Sequence, residues 1–194
     1  MPRELREEQV LQAATEEFGR AGYAAASLAE IGRRAGVSKA MVLTYFRSKD
    51  DLFAVCVQRV GARLAEYVAP VLLAPAPTGE LAEATIVAMF TALADRPSDW
   101  NLLVDRSVPR QGVARDAARE ARSLIGAQAA QGVGLLEDLD LVNDPDDVEV
   151  LTAIWMHTVS ALLGWWSEHP DRSVEEMSAR FHRLLGVLQS GPAS

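Results

Sequence analysis

Between Gly36 and Phe53 the chain reads GVSKAMVLTYFRSKDDLF. Gly36-Val37 breaks one helical pattern, and the Ser38 hydroxyl can cap the next by accepting a free amide hydrogen of its first turn. From Lys39 to Phe46 there is room for about two turns. Val42 and Phe46 fall four apart and face inward with Val37, which leaves Lys39, Ala40, Met41, Leu43, Thr44 and Tyr45 mostly outward. Ser48 opens a further helix, with Asp51 at its capping-box position. A helix this short has too little surface to serve as a core element. Turned outward between two capped neighbours, it meets the requirement for a helix that enters a DNA groove. Within 27–49 there are five bases (Arg33, Arg34, Lys39, Arg47, Lys49) against Glu30 alone. That is the local positive charge a phosphate backbone demands.

The residue types needed for catalysis are present without the spacing. His157, His169 and His182 have no carboxylate or cysteine partner at metal-ligand spacing, so no metal and no cofactor is expected. There is no Gly-x-Ser-x-Gly, Gly-x-Gly-x-x-Gly or glycine-rich phosphate loop. The acid pairs Glu16-Glu17, Asp146-Asp147 and Glu175-Glu176 fall on helix positions where solvation or the helix dipole explains them. No catalytic residue is assigned. A helical enzyme using His157 with an acid brought close by the fold is the weakest of the alternatives.

The elements that must position these groups are helical. An Ala-, Glu- and Arg-rich composition with little β-branched alternation argues for an all-α fold. The chain has 194 residues, 49% of them hydrophobic, which is ample for a core. Its single cysteine, Cys56, excludes an intramolecular disulfide and fits a reducing cytosol. The amino-terminal MPRELREEQV lacks the apolar run of a signal peptide, and no uninterrupted apolar run reaches the roughly 18 residues of a membrane span. A cytoplasmic protein without a membrane partner is therefore expected. The net charge of −8 is unevenly placed. Residues 1–50 hold eight Lys/Arg against seven Asp/Glu, and 51–194 hold eleven against twenty.

The stretch Ser27 to Phe53, SLAEIGRRAGVSKAMVLTYFRSKDDLF, resembles the helix-turn-helix signature of TetR-type transcriptional regulators. Ser27, Ile31, Ala35, Gly36, Val37, Ser38, Tyr45, Phe46, Ser48, Lys49 and Leu52 match that pattern. Ala40 stands where glycine is usual, Leu43 where an aromatic is usual, and Gly32 where alanine is usual. The motif covers about a seventh of the chain. The resemblance implies a three-helix DNA-binding domain over residues 1–50. A fourth helix would join it to a helical ligand-binding and dimerisation domain over 51–194. It also implies a homodimer on double-stranded DNA with a palindromic operator. Lys39, Met41, Leu43 and Thr44 would face the major groove, with Ala40 at the closest approach. Ser27, Ser38, Tyr45 and Lys49 would hold phosphates, joined by at least one of Arg33 and Arg34. Ala40 and Leu43 shift the balance toward apolar readout, for which thymine methyls are suited.

Beyond the motif, Arg3 to Ala21 carries a helical apolar stripe that Gly22 ends. The proline-rich AP-VLLAPAPTG breaks the chain after Val68. Thr78 and Ser98 are placed to cap the helices that follow. Asp105 to Gly112 is a break, and an Ala-rich helix follows from Val113 to about Leu136 with Leu124 inward. EDLDLVNDPDD forms a loop that hands over to a helix capped by Asp144 with Pro145 in its first turn. From Val148 to Ser167 apolar residues cover most of the circumference, so this helix must be buried nearly all round. Ala153, His157, Ala161 and Gly164 form a small-residue stripe on it. Ser173 with Glu176 caps a last helix carrying Phe181 and Leu185. The resemblance implies that these two helices form the dimer interface, and their apolar excess independently wants a partner. Met89, Phe90, Trp100 and Trp155 are the expected lining of an effector site, and their apolar character points to a hydrophobic or aromatic small molecule. The reading is a homodimeric, ligand-responsive repressor. Its rival is a helical small-molecule carrier in which the amino-terminal motif is only structural.

Overall fold

The computed structural model describes residues 2–74, 78–135 and 144–189. Among them the regular structure is all helical: α1 (Arg3–Ala25), α2 (Leu28–Arg34), α3 (Lys39–Phe46), α4 (Lys49–Leu73), α5 (Thr78–Ala92), α6 (Trp100–Val104), α7 (Val113–Gly134), α8 (Pro145–Glu168) and α9 (Val174–Gln189). A 3-10 turn at Pro97–Asp99 leads into α6. The protein is all-α, as its composition requires.

The helices pack as two compact units, Met1–Ala62 with Ser98–Leu124, and Arg63–Pro97 with Ile125–Ser194. These packing units are drawn differently from the division expected at residue 50, because the start of α4 and the α6 region both pack on α1. Phe53 meets Phe18 and Tyr23 edge-on, with centroids 5.0 and 5.3 Å apart. Asn101 Nδ2 donates to the Gly19 carbonyl at 2.9 Å. A β-carbon at Gly19 would lie 2.7 Å from the Ser98 carbonyl oxygen, so glycine is what lets that turn approach α1. Phe18, Ile31, Leu52 and Phe53 are fully buried, each contributing about 1.5–3 kcal/mol of transfer free energy. Gly22 sits inside α1 at φ 74, so the helix breaks at the glycine where its pattern ends and then resumes for a last turn.

In the second unit α5 packs on α9. Phe90 meets Trp166 edge-on at 5.3 Å, and Trp166 Nε1 donates to the Arg172 carbonyl at 2.9 Å. Asp144 caps α8 by accepting the Asp146 amide at 2.9 Å, ahead of Pro145. Ser173 and Glu176 form a reciprocal capping box at α9, with bonds of 2.8 and 3.2 Å.

Four expectations change. The fourth helix runs through Pro70 to Leu73: its proline forfeits one ladder bond near the carboxyl end, where little helix remains to be broken. Asp99, not Ser98, occupies the cap position of α6, and its side chain makes no capping bond there. Leu124 is 44% exposed on α7. On α8 only Val159, Leu162, Leu163 and Trp166 are buried, while Val150 and Ile154 stay exposed. By length and mean hydropathy α8 is also the one described helix that could cross a membrane. The Pro75–Pro77 break, the Thr78 side chain and most of EDLDLVNDPDD lie outside what the structure describes.

Candidate nucleic-acid interface

The turn between α2 and α3 is built on two glycines. Gly36 adopts φ +68, in the left-handed region where a β-carbon is costly. The Val37 amide then donates back to the Gly32 carbonyl at 2.8 Å. A β-carbon on Gly32 would lie 2.7 Å from the Val37 oxygen, so the turn closes only over a glycine. Ser38 Oγ accepts the Met41 amide at 3.1 Å and starts α3. At the other end Arg47 adopts φ 59 and donates its amide to the Leu43 carbonyl at 2.8 Å. Ser48 Oγ accepts the Asp51 amide at 3.0 Å and donates to its carboxylate at 2.6 Å, which starts α4.

On this frame Val42 is buried, and Lys39, Ala40, Met41 and Thr44 are exposed, with Leu43 and Tyr45 half-buried. Lys39 makes no ion pair or hydrogen bond among the described residues. Thr44 Oγ1 donates to the Ala40 carbonyl at 2.9 Å, leaving the methyl and an acceptor lone pair for a ligand. Ser27 Oγ accepts the Glu30 amide at 3.5 Å. Since Ser27 and Ser38 both use their oxygens as acceptors, their hydroxyl protons remain for a phosphate. Tyr45 lies under the Arg3 guanidinium, 5.7 Å from ring centroid to carbon.

Arg47 is exposed and, like Lys39, has no side-chain partner among the described residues, whereas the other three bases are engaged. Arg33 binds Glu30 through two bonds of 2.7 and 2.8 Å, and Arg34 binds the same carboxylate at 2.9 Å. Hydrogen bonds from Arg33 and then Arg34 hold the Glu30 carboxyl down to about 2. Lys49 turns inward: its ammonium donates to the Ala24 carbonyl at 3.3 Å and sits 4.7 Å from the Tyr23 ring centroid. Burial lowers the Lys49 pKa against the pull of Asp50, Asp105 and Glu17. The surface therefore offers a free lysine and a free arginine, two hydroxyl donors and an apolar strip.

Residues 10–56 match the family model described as bacterial regulatory proteins, tetR family. That segment is of the TetR type. A curated relative, the HTH-type transcriptional activator FasR of Mycolicibacterium smegmatis, is 32% identical over 105 residues, 54% of this chain and 48% of that protein. The chain thus spans about half the length of the curated relative it matches. Among solved structures, a TetR-like transcriptional regulator from Rhodococcus sp. RHA1 is 25% identical over 92% of both chains, with a TM-score of 0.71. The Bacillus subtilis transcriptional regulator FadR, solved with stearoyl-CoA, is 17% identical and has a TM-score of 0.75 over 96% of this chain and 99% of that one. At that identity the likeness is one of fold. The matched segment takes in most of α1, all of α2 and α3, and the start of α4.

The effector candidates do not come together in one unit. Met89 and Phe90 are buried in the second unit, where half-buried Trp155 meets Phe181 at 6.2 Å. Trp100 is buried in the first. Its Nε1 is buried without a hydrogen-bond partner. Of the dimer candidates, Ala153, His157 and Ala161 are exposed, and Gly164 and Leu185 are half-buried. His157 Nδ1 pairs with the Ala153 carbonyl of its own helix at 2.7 Å. Phe181 is 4% exposed and packs inside its own unit, so it has no face to give a partner. The exposed apolar residues of α9 are instead Leu184 and Val187.

Sequence reasoning missed the hold on the end of α1. Asp105 Oδ2 accepts the Tyr23 amide at 2.5 Å, Ser107 Oγ accepts the Ala24 amide at 3.0 Å, and the Tyr23 hydroxyl donates to Asp50. An Asp-x-Ser step marks a turn in the sequence, but nothing in it names a partner more than eighty residues away.

Proposed function

We propose that this protein is a homodimeric transcriptional regulator that binds a palindromic operator through α3 and is released by a small hydrophobic ligand, which makes it a repressor. One observation carries the reading. A capped, outward helix of eight residues presents free Lys39 with Met41, Leu43 and Thr44 between two serine hydroxyls that still have a proton to donate. Such a set reads base edges and anchors the backbone together. Residues 1–50 are the DNA-binding segment, and 51–194 serve the ligand and the partner subunit. The cytoplasm is the compartment this activity requires.

Charge supports the division of labour. The first packing unit holds fourteen Lys/Arg against twelve Asp/Glu, the second five against fifteen, so the net −8 divides into +2 and −10. The acidic unit repels phosphate and leaves the basic one to meet it.

For the ligand, an acyl chain is favoured over an aromatic ring, since a fold relative is solved with stearoyl-CoA. With only five bases in the second unit, the acyl chain must supply most of the affinity. The curated relative's name favours a second reading in which the bound dimer activates transcription. The position of the operator relative to its promoter separates the two.

The test is a salt titration of the purified protein against DNA flanking its own gene. Tight, selective binding with a steep negative salt slope, two subunits per site, and release by a long-chain acyl compound is expected. Equal weak binding to scrambled DNA, with no duplex enriched from a random pool, would leave the helical carrier as the function.

A further inference from the structure

We propose that the loop between α6 and α7, residues 105–112, is a second phosphate-holding element, with Arg106 and Arg110 gripping the DNA backbone beside the bases that α3 reads. This rests on the DNA-binding reading of α3.

The loop is bonded to the DNA-binding segment at its first end and approaches it at the other. Asp105 accepts the Tyr23 amide at 2.5 Å and the Ser107 amide at 2.7 Å, and Ser107 Oγ accepts the Ala24 amide at 3.0 Å. These anchors lie just ahead of Ser27, the cap of α2. At the other end a β-carbon on Gly112 would stand 3.9 Å from Asp50 Oδ2, in the first turn of α4. The loop thus runs from the entrance of α2 to the entrance of α4, the two places where Ser27 and Lys49 are expected at phosphates.

Its charges are arranged for an outside partner. Asp105, its acid, is taken up by two backbone amides. Arg106 and Arg110 are exposed and have no ion pair or hydrogen bond among the described residues. Most exposed arginines of this unit behave otherwise: Arg33 pairs with Glu30, Arg59 with Glu8 and Arg119 with Asp116. In a chain with 27 acids to 19 bases, the exposed arginines of the basic unit that have no such partner among the described residues, Arg47, Arg106, Arg110 and Arg115, are the ones open to an outside partner. The Lys49 ammonium is already held at the Ala24 carbonyl. A phosphate passing the start of α4 therefore finds its free cations at Arg47 and on the loop. Because the loop is pinned beforehand, little ordering is lost on contact.

The test compares the full-length protein with R106Q/R110Q on a duplex selected by the wild type from a random pool, and on a scrambled duplex of equal length. Each lost phosphate contact lowers the slope of log K against log salt by about 0.9. The variant should lose up to about 1.8 per protomer, with affinity falling equally on both duplexes and their ratio unchanged. R106K/R110K should restore the slope, and Arg119→Gln should leave it at the wild-type value. Circular dichroism checks that each variant is folded. An unchanged slope in R106Q/R110Q overturns the loop's role while leaving α3 as reader. An equal loss in Arg119→Gln overturns it too, as an effect of net charge alone. A wild-type protein without salt-dependent binding to either duplex overturns both readings.

Discussion

At the scale of single residues, spacing showed which side chains leave α3 but not which bases remain free. Lys39 was legible because its outward position follows from Val42 and Phe46. Lys49 was not, since its partner carbonyl at Ala24 is 25 residues away. Lys39→Ala should weaken operator binding, and the salt slope says how. A slope flatter by about 0.9 marks a lost phosphate contact, whereas a preference relaxed by about 1–3 kcal/mol at one base pair marks a lost base contact. Unchanged affinity removes Lys39 from the interface. Tyr23 carries a different prediction. Burial first, then the hydrogen bond and charge of Asp50, push its hydroxyl up to about 12, while an unfolded tyrosine titrates near 10. The folded state holds this proton more tightly, so its contribution is complete below about 10 and fades as pH rises to 12. Tyr23→Phe should cost about 2 kcal/mol near neutral pH. Measured by denaturant unfolding, the gap to wild type should close across that alkaline window. A gap that persists at its top would detach the loss from the hydroxyl proton.

At the scale of elements, the caps were the most readable feature, because a cap is a local event within three residues of sequence. Ser38, Ser48, Asp144 and Ser173 each bond the amide their position requires. Ser27 does so only weakly, since Glu30, which a full capping box would return to it, is taken by Arg33 and Arg34. Tertiary contacts were unreadable for the opposite reason: the hold of Asp105 on Tyr23 joins positions 82 apart. Gly32 shows how the two levels compete. Helix propensity alone favours Gly32→Ala by about 0.8–1 kcal/mol, and alanine is the residue the family pattern leads one to expect. The new methyl would press on a backbone oxygen at 2.7 Å with Lys39 N at 3.2 Å, and backbone cannot rotate aside. Overpacking costs about 1–3 kcal/mol, so the packing term wins. The variant should unfold at lower temperature and bind DNA less tightly; a stabilised variant would show that the turn relaxes without cost.

At the scale of the whole molecule, the sequence showed an excess of apolar surface on the last two long helices but not which residues would be left over. Phe181 and Val159 go to the protomer's own core, whereas Val150 and Ile154 on α8, each 56% exposed, and Leu184 and Val187 on α9, 50% and 69% exposed, do not. Four large aliphatic side chains of the acidic unit held in water oppose its folding unless a second surface covers them. Under the proposed function, a second copy of the chain is that surface, since a two-fold operator would need one. Ile154→Glu puts a charge into that seam, where it has no partner, and removes apolar area from both subunits at once. Wild type should sediment as a dimer with a melting temperature that rises with protein concentration. The variant should sediment as a monomer, keep its helical spectrum and melt independently of concentration. Its operator affinity should fall by about a hundredfold or more, because two half-sites bound through one dimer gain that factor from effective concentration. Binding to scrambled DNA, which needs phosphates but no fixed half-site spacing, should change far less. Should the variant remain a dimer at full affinity, the α8–α9 face is no interface, and the exposed aliphatic residues must answer to a different partner.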